Sequence, residues 1–507
     1  MNIIKEVQKF KKTDRFTACI FQDREYSNLE ITSQANRFSQ GLKQIGQIPG
    51  DIVACILPNC VEIMPVYEGI LRRGAVLLPI IFALTTEEIG YILKDSEAKY
   101  IVTNSELIEK VTEAFEIYSL EAKVILVDAK SSAGYFSYKE FLLEEKDIDE
   151  IVDRDSQDVA MIMYTSGTTG KPKGAMLTHG NFSAYVNYTF YDTFIRGQAA
   201  LITVPMNHMY GFEVMLLMYW KRGGTIVLHE WFDPVKAIKD IEKYQIDFVP
   251  LVPTMVLMIL ELDDLSFYHP KKDRIWVVGG APFPVDKIQE TEDRLGGMLI
   301  QGYGLTESAG EGTCQRPENR KPGSAGKPFP GLEIKIVDEE DREVPAGEWG
   351  EICIKGWCVM KGYFNRPKET AEVLKDGWFH TGDIGYLDQE GDLFVTDRKK
   401  DMVLRGGENI YSAEVEQALY KHAAVAEAAV IGLPDPKYGE EVFAVVVLHP
   451  GQKATEEEIL TEAKNLIPRY KCPKKIKFWS ELPKTRTGKV FKPAVRERFL
   501  EKDTHDK

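Results

Sequence analysis

The residues best suited to chemistry stand at 164–174, Tyr164-Thr-Ser-Gly-Thr-Thr-Gly-Lys-Pro-Lys-Gly174. Glycine permits positive φ and lets backbone N–H groups approach a ligand, while the Thr and Ser hydroxyls add donors and the lysines add charge. That composition suits phosphate oxygens; a Gly/Thr turn with a purely structural role is the plainer alternative. The segment is not a Walker A loop. Such a loop needs a glycine five residues before Gly170, where Thr165 stands, and a hydroxyl residue after the lysine, where Pro172 stands.

Further segments follow in order: Pro205-Met-Asn-His208, Gly279-Gly-Ala-Pro282, Gln301-Gly-Tyr-Gly-Leu-Thr-Glu307, His380-Thr-Gly-Asp383, Asp397-Arg-Lys-Lys-Asp401, Arg405-Gly-Gly-Glu408 and Pro483-Lys-Thr-Arg-Thr-Gly-Lys489. Taken singly, a Tyr between glycines or an Asp before Ile-Gly is an ordinary structural choice. Together and in this order they resemble the adenylate-forming enzymes, the family of acyl-CoA synthetases, firefly luciferases and the adenylation domains of peptide synthetases. The resemblance spans nearly the whole chain and is strongest to the acyl-CoA synthetase branch.

It implies an AMP-forming acid–thiol ligase using ATP, Mg2+ and coenzyme A. A carboxylate is unreactive toward a thiol until its oxygen becomes part of a leaving group, and attack on the α-phosphate of ATP achieves this, giving acyl-AMP and pyrophosphate. Catalysis of such a transfer is mostly positioning and cationic stabilisation. By resemblance, Thr165, Ser166, Gly167, Thr168, Thr169, Gly170 and Lys173 hold the departing phosphates, Thr306 touches the α-phosphate, and Glu307 binds the metal. Gly280, Ala281, Gly302 and Tyr303 receive adenine, and Asp383 the ribose hydroxyls with Arg398 nearby. Lys489 bridges the acyl carboxylate and α-phosphate. The C-terminal domain then reorients about Lys400, and Gly406 leaves room for pantetheine. These motions gate the site rather than accelerate the chemical step.

For the acid, His208 is the residue that lines the acyl pocket in relatives. Amino-acid-activating members carry an Asp just after that position, and here Met209, Tyr210, Gly211 and Phe212 follow. Glu213 reads as a helix-surface or first-turn carboxylate. Met209, Tyr210, Val214, Met215, Trp231 and Ala309 suit either an apolar pocket or ordinary core. The leading expectation is a medium- to long-chain fatty acid; an aryl acid, a carrier-protein thiol as acceptor, and a non-catalytic nucleotide-binding relative are the alternatives.

The elements that must position these residues are legible from periodicity. Short β-branched runs at 52–57, 75–80, 99–102, 123–127, 201–204, 225–228, 248–252 and 275–278 alternate with helical stretches at 61–73, 85–94, 235–244 and 253–262. Thr85 and Glu88 form a capping-box pair. Alternating strands and helices predict an α/β fold with parallel-type sheet in two lobes. Between about 323 and 399, dense Gly, Pro and Asp turns predict a β-rich subdomain. The expected division is a large AMP-binding domain over 1–399 and a small mobile α+β domain over 400–507.

Composition narrows the class. The chain has 507 residues and a net charge of −15, with 44% apolar and 28% charged residues, an ordinary globular balance. The acidic balance argues against nucleic acid as a partner. Residues 401–507 carry 18 basic and 17 acidic side chains, so the deficit belongs to the first 400 residues. Within 469–492 there are nine basic residues and one acid, Glu481, which suits either a solvated surface or a face for a polyanion. The seven cysteines form no C-x-x-C pair, and a reducing cytoplasm is the expected setting. No apolar run is long enough to span a bilayer, although composition does not test peripheral membrane contact.

Overall fold

The computed structural model describes residues 1–10, 14–131, 134–165, 171–189, 191, 195, 197, 199–406, 408–484 and 490–503. They form two compact units. The first comprises Met1–Lys335, Cys353–His380 and Gly391–Leu393, and the second Ile336–Ile352, Thr381–Glu390 and Phe394–Lys507.

The first unit is built on two sheets. One has eight strands in the spatial order Gly362–Tyr363, Lys173–Thr178, Val159–Thr165, Val76–Pro79, Ile52–Cys55, Tyr100–Thr103, Lys123–Leu126 and Tyr135–Ser137. From Val159–Thr165 to Tyr135–Ser137 neighbours run parallel, and the strands at 52–55, 76–79 and 100–103 are buried at every residue. That is why they read in sequence as unbroken apolar runs: helices cover both faces, so neither face can be polar. The helix Thr86–Ser96 begins at Thr85 with the expected capping box, Thr85 Oγ1 accepting from the Glu88 N–H at 3.2 Å and Glu88 accepting from the Thr85 N–H at 2.7 Å. It buries Ile89, Ile92 and Leu93 against the sheet.

The other sheet has nine strands. Its parallel centre, Met298–Tyr303, Ile275–Val278, Phe248–Leu251, Ala199–Ile202 and Thr225–Leu228, matches the expected second lobe. The N-terminal strand Thr17–Phe21 joins this sheet rather than the one nearer in sequence, pairing Cys19 with Ile226 in parallel. No local pattern marks that choice, because a parallel pairing across two hundred residues is decided by packing.

Strands Leu332–Val337, Gly350–Gly356, Trp378–Leu387 and Leu393–Arg398 occupy the stretch expected to be β-rich. The second unit contains an α+β module, with strands Glu408–Ile410, Val403–Arg405, Gly439–Leu448 and Val425–Asp435 in that order and Lys475–Phe478 parallel to Gly439–Leu448. Its core is Val415, Leu419, Val430, Val442, Ala444, Val446 and Ile459. The architecture is thus the expected mixed α/β one, large N-terminal and small C-terminal. Among the described residues, no helix is long and apolar enough to cross a membrane.

Two buried polar groups tie the first unit together. Arg72 is fully buried and donates to Glu68 Oε1 from Nε at 3.0 Å and Nη2 at 2.7 Å. His179 opens the helix His179–Tyr188 directly behind the hairpin 159–178, and its Nδ1 accepts from the Ile3 N–H at 3.2 Å. Burial, with Arg154 nearby, lowers the His179 pKa from 6.5 to about 4. A His held neutral in the folded state contributes stability that is complete above pH 6.5 and is lost as pH falls toward 4, about 3 kcal/mol in all. Urea unfolding of wild type and His179→Gln across that window should show the wild-type advantage shrinking as pH falls; a constant difference would remove His179 from the acid limb.

Candidate active site

The glycine-rich segment begins and ends on two antiparallel strands. Strands Val159–Thr165 and Lys173–Thr178 pair with Tyr164 opposite Gly174 and Thr165 opposite Lys173. Between them, Ser166, Gly167, Thr168, Thr169 and Gly170 lie outside the described residues. Both stems are pinned to the helix Thr86–Ser96. Tyr164 donates its hydroxyl to Asp95 at 2.7 Å, and the Tyr91 hydroxyl donates to the Pro172 carbonyl at 3.3 Å. Arg366 closes the network by pairing with Asp95 and donating to Tyr91. Burial and the Asp95 charge push the Tyr164 pKa up, so the phenol remains a donor.

The second part follows strand Met298–Tyr303. Gly304 touches Gly310, since a Cβ on Gly304 would stand 1.8 Å from the Gly310 carbonyl oxygen. The chain turns through the short 3-10 helix Thr306–Ser308 and leaves it with φ of +47° at Ala309 and +82° at Gly310. Gly310 N–H donates back to Leu305 at 2.8 Å, and Met360 N–H donates to the Glu307 carbonyl at 2.8 Å. This turn presents Thr306 and Glu307 half-buried.

Glu307 is where the parts meet. Its Oε1 accepts from the Thr165 hydroxyl and from the Tyr363 hydroxyl, each at 3.0 Å. Burial and the Glu307 charge push the Tyr363 pKa up, keeping that phenol protonated. Lys173 Nζ stands 5.2 Å from the Tyr363 ring centroid. Thr165, Lys173 and Glu307, expected together, are brought together, and the remaining donor is Tyr363, which has no sequence signal of its own. Asp95 and Arg366, likewise unforeseen, are separated by 271 residues.

Other expected residues line up just past the carboxyl ends of the nine-stranded sheet, where open α/β sheets bind ligands. Gly280, with φ of +83°, and Ala281 are exposed after Ile275–Val278. Gly302 and Tyr303 end their strand opposite Cys314 and Thr313. The segment 205–208 is anchored by amides: Asn59 bonds the Val204 carbonyl and the Met206 N–H, and Asn207 donates to Leu57 and Ile80 at 3.0 and 2.9 Å. His208 caps the helix Met209–Met215, its Nδ1 accepting from the Tyr210 N–H at 3.4 Å.

Two expectations about the acyl side need correction. Glu213 is not on a surface: it is 9% exposed, and its neighbours Met209, Val214 and Met215 are buried core. The reason is that this helix runs inside the unit and has no solvent face to offer the carboxylate. Trp231 is 57% exposed and packs edge-on against Phe82 at 5.1 Å, so it lines no closed pocket.

In the second unit, Arg398 Nε stands 3.2 Å from Asp383 Oδ1, and Asp383 N–H donates to Thr381 Oγ1 at 3.0 Å. Lys400 lies in the short 3-10 helix Lys399–Asp401. Gly406, with φ of +61°, sits in the two-residue connection that pairs Arg405 with Glu408, and its N–H donates to Tyr438 at 2.7 Å. Arg405 pairs with Glu441 and lies 4.1 Å over the Tyr438 ring. Lys489 lies outside the described residues.

A two-sheet α/β unit in which Thr165, at the start of a hydroxyl-rich segment, bonds a glutamate turn has the make-up of a nucleotide-dependent enzyme. The family comparisons agree. A family model described as AMP-binding enzyme matches residues 7–364, and one described as AMP-binding enzyme C-terminal domain matches 414–489. A long-chain-fatty-acid–CoA ligase of Bacillus subtilis is 36% identical over 97% of this chain and 92% of the relative. A feruloyl-CoA synthase of Amycolatopsis sp. is 37% identical over 93% of each. The ATP-bound crystal structure of MatB from Rhodopseudomonas palustris superposes with a TM-score of 0.90 at 30% identity over 98% of each chain. The chain belongs to the AMP-binding enzymes, the adenylate-forming superfamily, in its acyl-CoA synthetase branch. It is an AMP-forming acid–thiol ligase.

The donor set also fits Mg2+. Glu307 offers a carboxylate steadied by two neutral hydroxyls, and no cluster of three His, Cys, Asp or Glu stands among the described residues to form an all-protein cage. Mg2+ characteristically takes one or two carboxylates, substrate phosphate oxygens and water. Tyr363→Phe removes one of the hydroxyls on Glu307, a hydrogen bond to a charged acceptor worth about 1.5–3 kcal/mol. Adenylation should fall about tenfold or more, with a raised Mg2+ requirement and a melting temperature lowered by about a few degrees at most; an unaltered Mg2+ dependence would count against this role for Glu307.

Proposed function

We propose that this chain is an ATP-dependent carboxylic acid:CoA ligase. The observation that carries the proposal is the convergence of Thr165 and Tyr363 on Glu307, at the end of the strand that leads into the hydroxyl-rich segment. In the first half-reaction a carboxylate oxygen of the acid attacks the α-phosphorus of ATP, the bond to the β-phosphate oxygen breaks, and pyrophosphate leaves. Thr165, Ser166, Thr168, Thr169 and Lys173 hold the departing phosphates, with Gly167 and Gly170 letting the backbone approach. Thr306 contacts the α-phosphate and Glu307 holds the metal, which, when bound, neutralises phosphate charge.

Gly280, Ala281, Gly302 and Tyr303 receive the adenine, and Asp383, steadied by Arg398, accepts from the ribose hydroxyls. Lys489 bridges the carboxylate and α-phosphate. In the second half-reaction the CoA thiol loses its proton, its sulfur attacks the acyl carbon, and AMP departs. Gly406 belongs to this step, with Lys400 as the hinge between the two. Expected substrates are medium- to long-chain fatty acids, supported by the apolar residues around His208 and by one relative; the feruloyl relative supports an aryl acid equally well. Glu213, buried on that same helix, favours a second reading in which the acid has an apolar or aromatic body and a polar far end. A cytoplasmic site of action and CoA rather than a carrier protein complete the proposal.

Pyrophosphate release should depend on ATP and acid together, with acyl-AMP consumed on adding CoA. Lys489→Ala should lower adenylation about a hundredfold or more, the scale of losing a transition-state charge contact, while sparing thioester formation from supplied acyl-AMP. Equal loss of both steps would show the role to be misassigned.

A further inference from the structure

Two carboxyls, Glu213 and Glu311, are left without work by the chemistry above. Glu213 is 9% exposed and Glu311 2%, and among the described residues neither Oε1 has a hydrogen-bonding partner. Glu213 projects from the helix capped by His208. Its Oε1 lies over Gly310, where a Cβ would stand 1.1 Å away, so glycine is the residue that leaves the carboxyl its place. Glu311 follows directly, four residues past Glu307. The pair therefore stands between the helix at the expected acyl carboxylate and the turn that presents the metal-binding glutamate.

Among the described residues, no Lys or Arg offsets the charge of Glu213 or Glu311. Tyr185 donates to the backbone carbonyl of Glu213 at 3.4 Å, and the Tyr191, Tyr210, Cys314 and Cys358 side chains all feel the charge of one or both carboxyls. Desolvation raises the pKa of both, and the charge of Glu311 raises that of Glu213 further. Leaving a buried polar group unpaired is costly. A fatty tail laid against this pair would leave the missing bonds unmade. A tail ending in a donor would satisfy them.

Geometry sets the scale. At 1.5 Å per residue, Glu213 lies about 7 Å along the helix axis from His208, roughly the length of an aromatic ring with a short side chain. We propose that Glu213 and Glu311 form the far wall of the acyl pocket and select an acid bearing a hydrogen-bond donor, hydroxyl or ammonium, at the end remote from its carboxylate. The inference rests on the ligase reading above, which places the activated carboxylate near His208. Sites that hydrogen-bond a substrate group discriminate strongly against analogues lacking it, more so than apolar pockets discriminate by shape.

The test is pyrophosphate release with matched acids: cinnamate against its p-hydroxy and p-aminomethyl derivatives, and octanoate against its ω-hydroxy and ω-amino derivatives. Wild type should show kcat/KM at least about tenfold higher for a donor-bearing acid than for its parent. The double variant Glu213→Leu, Glu311→Leu should reverse that ratio. Because parent and derivative are compared on one preparation, partial misfolding does not alter the ratio. Glu213→Gln and Glu311→Gln separate the two donors: a hydroxyl preference survives them and an ammonium preference does not. A wild-type ratio near one, or a ratio unmoved in the Leu variant, overturns the inference while turnover of any acid leaves the ligase reading standing. No turnover with any acid overturns both.

Discussion

Glu307 holds three distant stretches of chain at one carboxylate oxygen. Thr165 comes from the end of a hairpin strand and Tyr363 from the short strand beyond that hairpin, and both hydroxyls end on the same Oε1. The arrangement works only if the hairpin register is right, because a slip of one residue would turn Thr165 to the other face. It also needs the glycine contact that folds 304–310 into a compact turn. Sheet pairing and turn geometry in the first unit thus converge on a single acceptor.

Around this contact the unit manages buried polarity in two different ways. Glu68 and Arg72 are both buried, yet the guanidinium donates twice to the carboxylate and Trp220 Nε1 donates at 3.3 Å, so the pair is internally satisfied. Among the described residues, the Oε1 atoms of Glu213 and Glu311 have no such closure. Burying a charge is tolerable when a partner is supplied and costly when it is not. The first arrangement reads as structure; the second is the pair we assign to the acyl pocket.

The alternation of buried apolar runs with amphipathic helices located eight strands of the parallel sheet centres to within a residue or two, leaving out Tyr135–Ser137, Val159–Thr165 and Met298–Tyr303, and Thr85 announced its helix through its capping partner. These features are local, since burial on both faces requires continuous apolarity and a cap involves residues three apart. Less legible were the pairing of Thr17–Phe21 with Thr225–Leu228 and the network of Asp95, Tyr164 and Arg366. Nothing near Asp95 in sequence distinguishes it from any other carboxylate at the end of a helix.

By itself the sequence marked the phosphate-binding segment, because such binding draws on contiguous glycines, hydroxyls and lysines, and the reaction class followed from the resemblance of its ordered motifs to the adenylate-forming enzymes. Only the tertiary structure decided which hydroxyls steady Glu307 and that Glu213 is buried beside the Glu307 turn. A side chain's environment is set by whatever packs against it, and here the neighbours come from segments a hundred residues away. Periodicity reports which face of an element turns inward; it carries no information about what waits there.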